Sequence, residues 1–140
     1  MTQNTANNAL TLAFQQTQQA IAALKQMVEK PMQDDRSNVD ACIQRFEFTI
    51  ELFWKLLRRI LETKGIIVVY PKDVLRAAFS GQLIDHETQW LSMLNDRNQT
   101  SHTYNEKLAD EIYQHIKDYF PVITTTYTTL RSLYFKNVIF

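Results

Sequence analysis

The sequence has few residues that cross-link or sharply turn a chain: it contains one cysteine, two glycines and three prolines in 140 residues. A single cysteine, Cys42, excludes a disulfide within the chain and fits a reducing compartment such as the cytosol. Its apolar neighbours indicate a small core residue. So little glycine and proline argues against a turn-rich β-sandwich or barrel and favours helices.

The sequence also lacks an excess of charge, because fifteen basic residues balance fifteen acidic ones. Overall electrostatics therefore does not attract this chain to nucleic acid or to an anionic membrane, and a phosphate contact requires a local cluster. No apolar run reaches the roughly eighteen residues of a membrane span. Residues 1–8 are polar and do not resemble a signal peptide. We therefore expect a cytoplasmic protein with no membrane segment.

Apolar residues recur at steps of three and four residues in three long stretches, which predicts three long amphipathic helices. They are Leu10 to Val28, Val39 to Ile60 and Leu108 to Tyr134. The first ends before Pro31, and the third keeps its phase through Pro121, which predicts one kinked helix.

Two shorter helices are predicted between the long ones, one opening at Pro71 and one starting near Asp85. The fold class is therefore all-α: an antiparallel bundle of four or five helices that forms one domain over residues 1–140. The segment between Lys64-Gly65 and Pro71 is β-branched, and we interpret it as an extended connection, with a lone strand as the alternative.

Local signals also predict helix starts and one possible interface. Ser37 or Asn38 is expected to cap the second helix, and Thr103 to cap the last one through a capping box with Glu106. A second apolar row on the second helix suggests a face for another subunit; it consists of Phe48, Leu52 and Leu56.

The stretch from Asp96 to Asn105 interrupts the helical pattern and carries the candidate chemistry. On an unbroken helix Arg97 and His102 would lie about 140° apart. A bend between them would let both side chains enter one cleft. There an arginine can clamp a phosphate and a histidine can transfer a proton, which are the parts that a metal-free ribonuclease needs.

A structural interpretation of the same residues is also open. Arg97 could form an ion pair with Asp96 or Glu106, His102 could cap a helix, and Tyr104 could be an ordinary half-buried aromatic residue. The spacing of Arg97 and His102 does not decide between the two interpretations.

The pattern Arg97-x4-His102-x-Tyr104 resembles the signature of the HEPN superfamily, the higher eukaryotes and prokaryotes nucleotide-binding proteins. The chain from about Val39 to Tyr119 is similar to its bacterial branch of nucleotidyltransferase substrate-binding proteins, which includes the HepT-like toxins. The segments that carry the resemblance are Glu51 to Lys55, Pro71 with Val74-Leu75-Arg76, Ala78-Phe79, Trp90 to Leu94, and Arg97-Asn98-x-Thr100-x-His102-x-Tyr104-Asn105-Glu106.

This resemblance implies a homodimeric helical bundle that cleaves RNA without metal and works as a toxin. The site would be composite, with the arginine and histidine of both subunits. It also implies a minimal nucleotidyltransferase partner, which silences the toxin by transferring AMP from ATP to Tyr104. By the same resemblance Arg97 would stabilise phosphate, His102 would act as acid or base or bind the scissile group, and Asn98 would orient that group.

Other site types have little support in the sequence. The three histidines lack zinc-ligand spacing, and no glycine-rich phosphate loop exists, so we expect no cofactor and no metal, and the chain is not itself the nucleotidyltransferase. Lys55, Arg58 and Arg59 share one helix face and are candidates for RNA or nucleotide contact, although a solvated basic face is the favoured explanation.

The sequence therefore supports three hypotheses about function. The protein is a ribonuclease toxin silenced by AMP transfer, a non-catalytic subunit that presents substrate or nucleotide to a nucleotidyltransferase, or a structural homodimer without a ligand.

Overall fold

The computed structural model describes residues 2–31, 36–100 and 105–135. These parts form five α-helices and contain no β-strand, which confirms the all-α prediction. The helices are α1 (Thr2–Val28), α2 (Ser37–Thr63), α3 (Pro71–Ser80), α4 (Glu87–Thr100) and α5 (Glu106–Tyr134).

The core lies between the three long helices, whose apolar faces meet as the periodicity predicts. Phe14 of α1 is fully buried, and the rings of Tyr127 and Phe135 approach it edge-on at 5.9 and 5.1 Å. The Tyr127 hydroxyl donates to the Phe14 carbonyl over 2.9 Å, so the buried phenol is satisfied. Cys42 is fully buried as expected, and this burial raises the pKa of its thiol to about 11.

The start of α2 differs from the sequence prediction. Neither Ser37 nor Asn38 is the N-cap, because Arg36 takes that place in a left-handed conformation with φ of 64°. Asn38 is buried, and its side-chain amide donates to the Pro31 carbonyl over 2.9 Å. One of the two side chains expected to cap the helix therefore ties α2 to the segment that directly follows α1.

The connection between α2 and α3 has the predicted extended form. Gly65 has φ of 79°, a left-handed value that suits a residue without a Cβ. No strand forms over residues 66–70, and Pro71 occupies the first turn of α3. The side chain of Ile67 is 74% exposed in this connection.

The C-terminal half confirms one prediction and corrects another. Pro121 lies inside α5, so the last apolar pattern is one helix, as its continuous phase indicated. The N-cap of α5 is Asn105 and not Thr103, because the Asn105 side-chain oxygen accepts from the backbone N–H groups of Lys107 and Leu108 at 3.0 and 3.2 Å. Thr103 itself lies outside the described residues.

The second apolar row of α2 does not form one outer face. Leu56 is fully buried within the chain, whereas Phe48 is 59% exposed. The row therefore contributes in part to the chain's own core, and the predicted dimer stays a prediction. Among the residues described, no helix has the length and apolarity needed to cross a bilayer.

Candidate functional site

Arg97 and Asn98 lie in the last turn of α4, close to where the helix ends at Thr100. The Thr100 hydroxyl donates to the Arg97 carbonyl over 2.9 Å, which satisfies one of the acceptors left open at a helix C-terminus. The helix thus continues further into the polar stretch than its composition suggested. His102 and Tyr104 lie outside the described residues, so their gathering with Arg97 in one pocket remains a prediction.

The guanidinium of Arg97 is held by two side chains and is partly open to solvent. Its Nη2 lies 3.2 Å from Oε2 of Glu51 on α2, and its Nη1 donates to Oδ1 of Asn98 over 3.3 Å. The side chain is 31% exposed. The acidic partner in the structure is therefore Glu51 of α2, whereas the structural interpretation of the sequence had named Asp96 or Glu106.

Glu51 is the centre of a small charged network. Its Oε2 also accepts from the indole Nε1 of Trp54 over 3.1 Å, and its Oε1 lies 3.3 Å from Nζ of Lys55. Burial raises the pKa of Glu51, but the hydrogen bond from Trp54 and the charges of Arg97 and Lys55 outweigh burial, so the pKa lies below its ordinary value. Glu51 is therefore a carboxylate at neutral pH.

Two of the three predicted RNA-contact residues lie in this network. Lys55 and Arg58 approach the Trp54 ring, at 5.9 and 5.3 Å from its centroid, and Arg58 also lies 3.9 Å from a carboxylate oxygen of Glu62. Arg59 is exposed on the same helix. Arg97, Lys55 and Arg58 are thus three cations set among the carboxylates of Glu51 and Glu62, a local grouping of the kind that a chain without net charge needs for binding phosphate.

A second polar cluster, which the sequence analysis missed, connects the C-terminal part of α4 to α5. The carboxylate of Asp96 is only 6% exposed; it accepts from the Tyr119 hydroxyl over 2.6 Å and lies 3.0 Å from Nδ1 of His115. Burial and the hydrogen bond to Asp96 raise the pKa of Tyr119. The signal available in the sequence was an aspartate next to the signature arginine, together with His115 and Tyr119 spaced one helical turn apart.

A half-open cavity of about 250 Å³ lies between α2, the C-terminal end of α4 and the N-terminal end of α5. Its lining combines apolar side chains with carboxylates, amides and a hydroxyl; the lining residues are Asp40, Ile43, Gln44, Glu47, Thr100, Asn105, Leu108 and Ala109. Thr100 and Asn105, which flank residues 101–104 in the sequence, are both part of this lining. Within the described ranges, no three potential metal-ligating side chains lie close enough together to hold an ion.

Comparisons with known proteins agree with this fold. The family model described as nucleotidyltransferase substrate binding protein like matches residues 12–132. A protein of Haemophilus influenzae named probable ribonuclease HepT is 33% identical over 122 residues, which cover 80% of this chain and 82% of that protein.

Two solved structures share the architecture. A protein of Thermus thermophilus superposes with a TM-score of 0.74 at 38% identity, covering 82% of this chain and 98% of that one. A Haemophilus influenzae protein, described as revealing the fold of a substrate binding domain of a nucleotidyltransferase, superposes with a TM-score of 0.64 at 29% identity, covering 89% and 98%. The chain therefore belongs to the family of nucleotidyltransferase substrate-binding-like proteins, in agreement with its resemblance to the HEPN superfamily.

Proposed function

We propose that this chain is a HEPN-type toxin that cleaves RNA without a metal ion, with Arg97 and His102 at its active site. The observation that carries the proposal is the placement of Arg97: a partly exposed guanidinium, fixed between Glu51 and Asn98, at the helix end that leads into the segment with His102. The relative named probable ribonuclease HepT supports the same assignment.

In this mechanism each residue has one task. His102 takes the proton of a ribose 2′-hydroxyl, and the 2′-oxygen forms a bond to the adjacent phosphorus. The bond to the 5′-oxygen of the next nucleotide breaks, and this oxygen leaves as a hydroxyl after taking up a proton, so that a 2′,3′-cyclic phosphate remains. Arg97 stabilises the extra negative charge of the pentavalent phosphorane, and Asn98 orients the scissile group. A second copy of the chain completes the site by supplying its own arginine and histidine.

Regulation in this proposal acts on Tyr104. A minimal nucleotidyltransferase partner transfers AMP from ATP to the Tyr104 hydroxyl, and pyrophosphate leaves. The added phosphate would lie close in sequence to the N-terminus of α5, where the helix dipole favours negative charge. It would also compete with RNA for the charge of Arg97.

A cleavage assay in the presence of EDTA tests the ribonuclease. Purified wild-type protein is expected to cut RNA, and Arg97→Ala or His102→Ala is expected to lower the rate by at least about 100-fold. Arg76→Ala is the matched control, because Arg76 is an exposed arginine on α3. Wild-type activity in both active-site variants would contradict the mechanism.

The second candidate function is a non-catalytic subunit that presents a substrate or nucleotide to a nucleotidyltransferase. It is favoured by the description of the matched family and by the zero net charge of the chain. Co-expression with a minimal nucleotidyltransferase separates the two. RNA cleavage together with added AMP mass on Tyr104 supports the toxin, whereas a stable complex that never cuts RNA supports the binding subunit. A homodimer that does neither would leave the purely structural hypothesis.

A further inference from the structure

We propose that Glu51 is a positioning residue for Arg97, which holds the guanidinium in the orientation in which it meets the scissile phosphate. This inference rests on the proposed ribonuclease function and adds to it a residue on a different helix, outside the Arg-x4-His-x-Tyr signature.

The geometry around Glu51 is that of a fixed anchor. Oε2 is shared between the indole N–H of Trp54 at 3.1 Å and Nη2 of Arg97 at 3.2 Å, and Oε1 lies 3.3 Å from Lys55. Trp54 is only 7% exposed, so its indole is packed in the core and gives the carboxylate a rigid reference point. Both oxygens of Glu51 are therefore bound.

This arrangement leaves Arg97 available for a substrate. A guanidinium has five N–H groups. Glu51 and Asn98 engage Nη2 and Nη1, and each of these nitrogens carries a second N–H. Because the side chain is 31% exposed, an incoming phosphate can reach these groups while the contact to Glu51 persists.

Fixing the arginine in advance favours the chemical step over binding. A long surface side chain loses rotamer freedom when it is held in one place, and Glu51 makes Arg97 lose that freedom before RNA arrives. The negative charge of Glu51 also repels the phosphate, which weakens ground-state binding. Removing this charge should therefore slow the cleavage step without weakening RNA binding.

Glu51 is not suited to act as the general base. All three of its neighbours are donors or cations, and they hold the pKa of Glu51 below its ordinary value, so this carboxylate is a poor acceptor for a ribose proton. Its effect on the reaction runs through Arg97.

Single-turnover cleavage of a labelled RNA in EDTA, with binding measured separately, tests the inference. Glu51→Gln is expected to lower the maximal cleavage rate by about 30-fold, with RNA affinity unchanged or raised up to about threefold. Glu111→Gln, an exposed glutamate on α5, is the control and should change neither quantity by more than about twofold. If Glu51→Gln does not fold, Glu51→Asp serves in its place. It keeps the charge but is one methylene shorter, so it should lose contact with Arg97 and lower the cleavage rate by a similar factor.

A double-mutant cycle shows whether Glu51 acts through Arg97. In an Arg97→Ala background, Glu51→Gln is expected to slow cleavage no further. The inference is overturned if Glu51→Gln slows the Arg97→Ala variant by the same factor as the wild type, or if it weakens RNA binding and leaves the maximal rate intact.

A readout independent of cleavage separates this inference from the proposed function. In NMR spectra of the wild-type protein the Arg97 guanidinium nitrogens should show restricted motion. In Glu51→Gln the same nitrogens should become more mobile. Restricted motion in both proteins would refute the positioning role. Wild-type protein that cuts no RNA but shows the predicted release would refute the ribonuclease and leave the anchoring of Arg97 standing.

Discussion

Two carboxylates support the last turn of α4, and their surroundings differ. Asp96 is 6% exposed and is bound by Tyr119 and His115 of α5, whereas the Glu51 side chain is 33% exposed and lies among Arg97, Lys55 and the Trp54 indole. A buried carboxylate contributes strongly to stability through partners that water cannot replace, while a half-exposed ion pair contributes little. Asp96 is therefore expected to matter mainly for folding, and Glu51 mainly for the reactivity of Arg97.

The largest effect on stability is expected from Asp96→Ala. This change leaves the buried hydroxyl of Tyr119 without its acceptor, and we expect the free energy of unfolding to fall by about 3 kcal/mol in urea denaturation. Glu111→Ala, on the exposed side of α5, should change it by less than about 0.5 kcal/mol. A loss below about 1 kcal/mol for Asp96→Ala would remove the contrast between the two carboxylates.

A smaller effect with a distinct pH dependence is expected from Tyr119→Phe. At neutral pH the lost hydrogen bond should cost about 1–2 kcal/mol. Because burial and Asp96 raise the pKa of Tyr119 in the folded protein, the unfolded chain releases this proton first once the pH passes about 10. The contribution is thus complete below that pH and is lost above it.

Urea denaturation of both proteins from pH 8 to 11 measures this loss. The wild type should lose more stability over this range than Tyr119→Phe. The variant should still lose some stability at alkaline pH, because other groups also ionise there; one of them is Tyr127, whose pKa is also raised by burial. Parallel pH curves for the two proteins would show that the phenol is not held neutral by its surroundings.

Glu51→Ala should lower the free energy of unfolding by only about 1 kcal/mol, since Trp54 loses an acceptor while Arg97 and Lys55 regain water. Urea denaturation beside the Asp96 variant gives the comparison directly. A loss as large as that of Asp96→Ala would make Glu51 a structural residue and would weaken its proposed role in the reaction.

The smallest effect is expected for Lys55→Ala, whose side chain is 46% exposed. If it contacts one phosphate of a single-stranded RNA, its loss should weaken binding about threefold and reduce the slope of log affinity against log salt by about 0.7. Arg76→Ala should leave the slope unchanged. Equal slopes for wild type and Lys55→Ala would place RNA away from this cluster.

The sequence predicted most of the fold because its signals were local. Pro31 follows the end of α1 and Pro71 begins α3, because proline lacks a backbone N–H and has a fixed φ. Gly65 lies just after the end of α2, and the unbroken apolar phase through Pro121 predicted one helix. The caps were less predictable, since several polar residues compete for each helix start. Asn38 binds the Pro31 carbonyl instead of capping α2, and Asn105 takes the place that Thr103 was expected to fill.

The candidate site was predictable only in part. The interrupted helical pattern predicted that Arg97 lies near a helix end, as the structure shows, but the partner of Arg97 comes from α2 and the partners of Asp96 from α5. Such contacts depend on how the helices pack, which neither periodicity nor spacing encodes. The same segment that suggested the family contained Glu51, yet nothing in one sequence gave that residue a role.

The most direct test of the account is the single-turnover rate of RNA cleavage in EDTA for wild type and Arg97→Lys. Lysine keeps the charge but lacks the planar fork that reaches Glu51 and a phosphate together, so we expect the rate to fall about 10- to 100-fold with little change in RNA affinity. Wild-type protein that leaves RNA intact, or an Arg97→Lys variant that cuts at the wild-type rate, would contradict it.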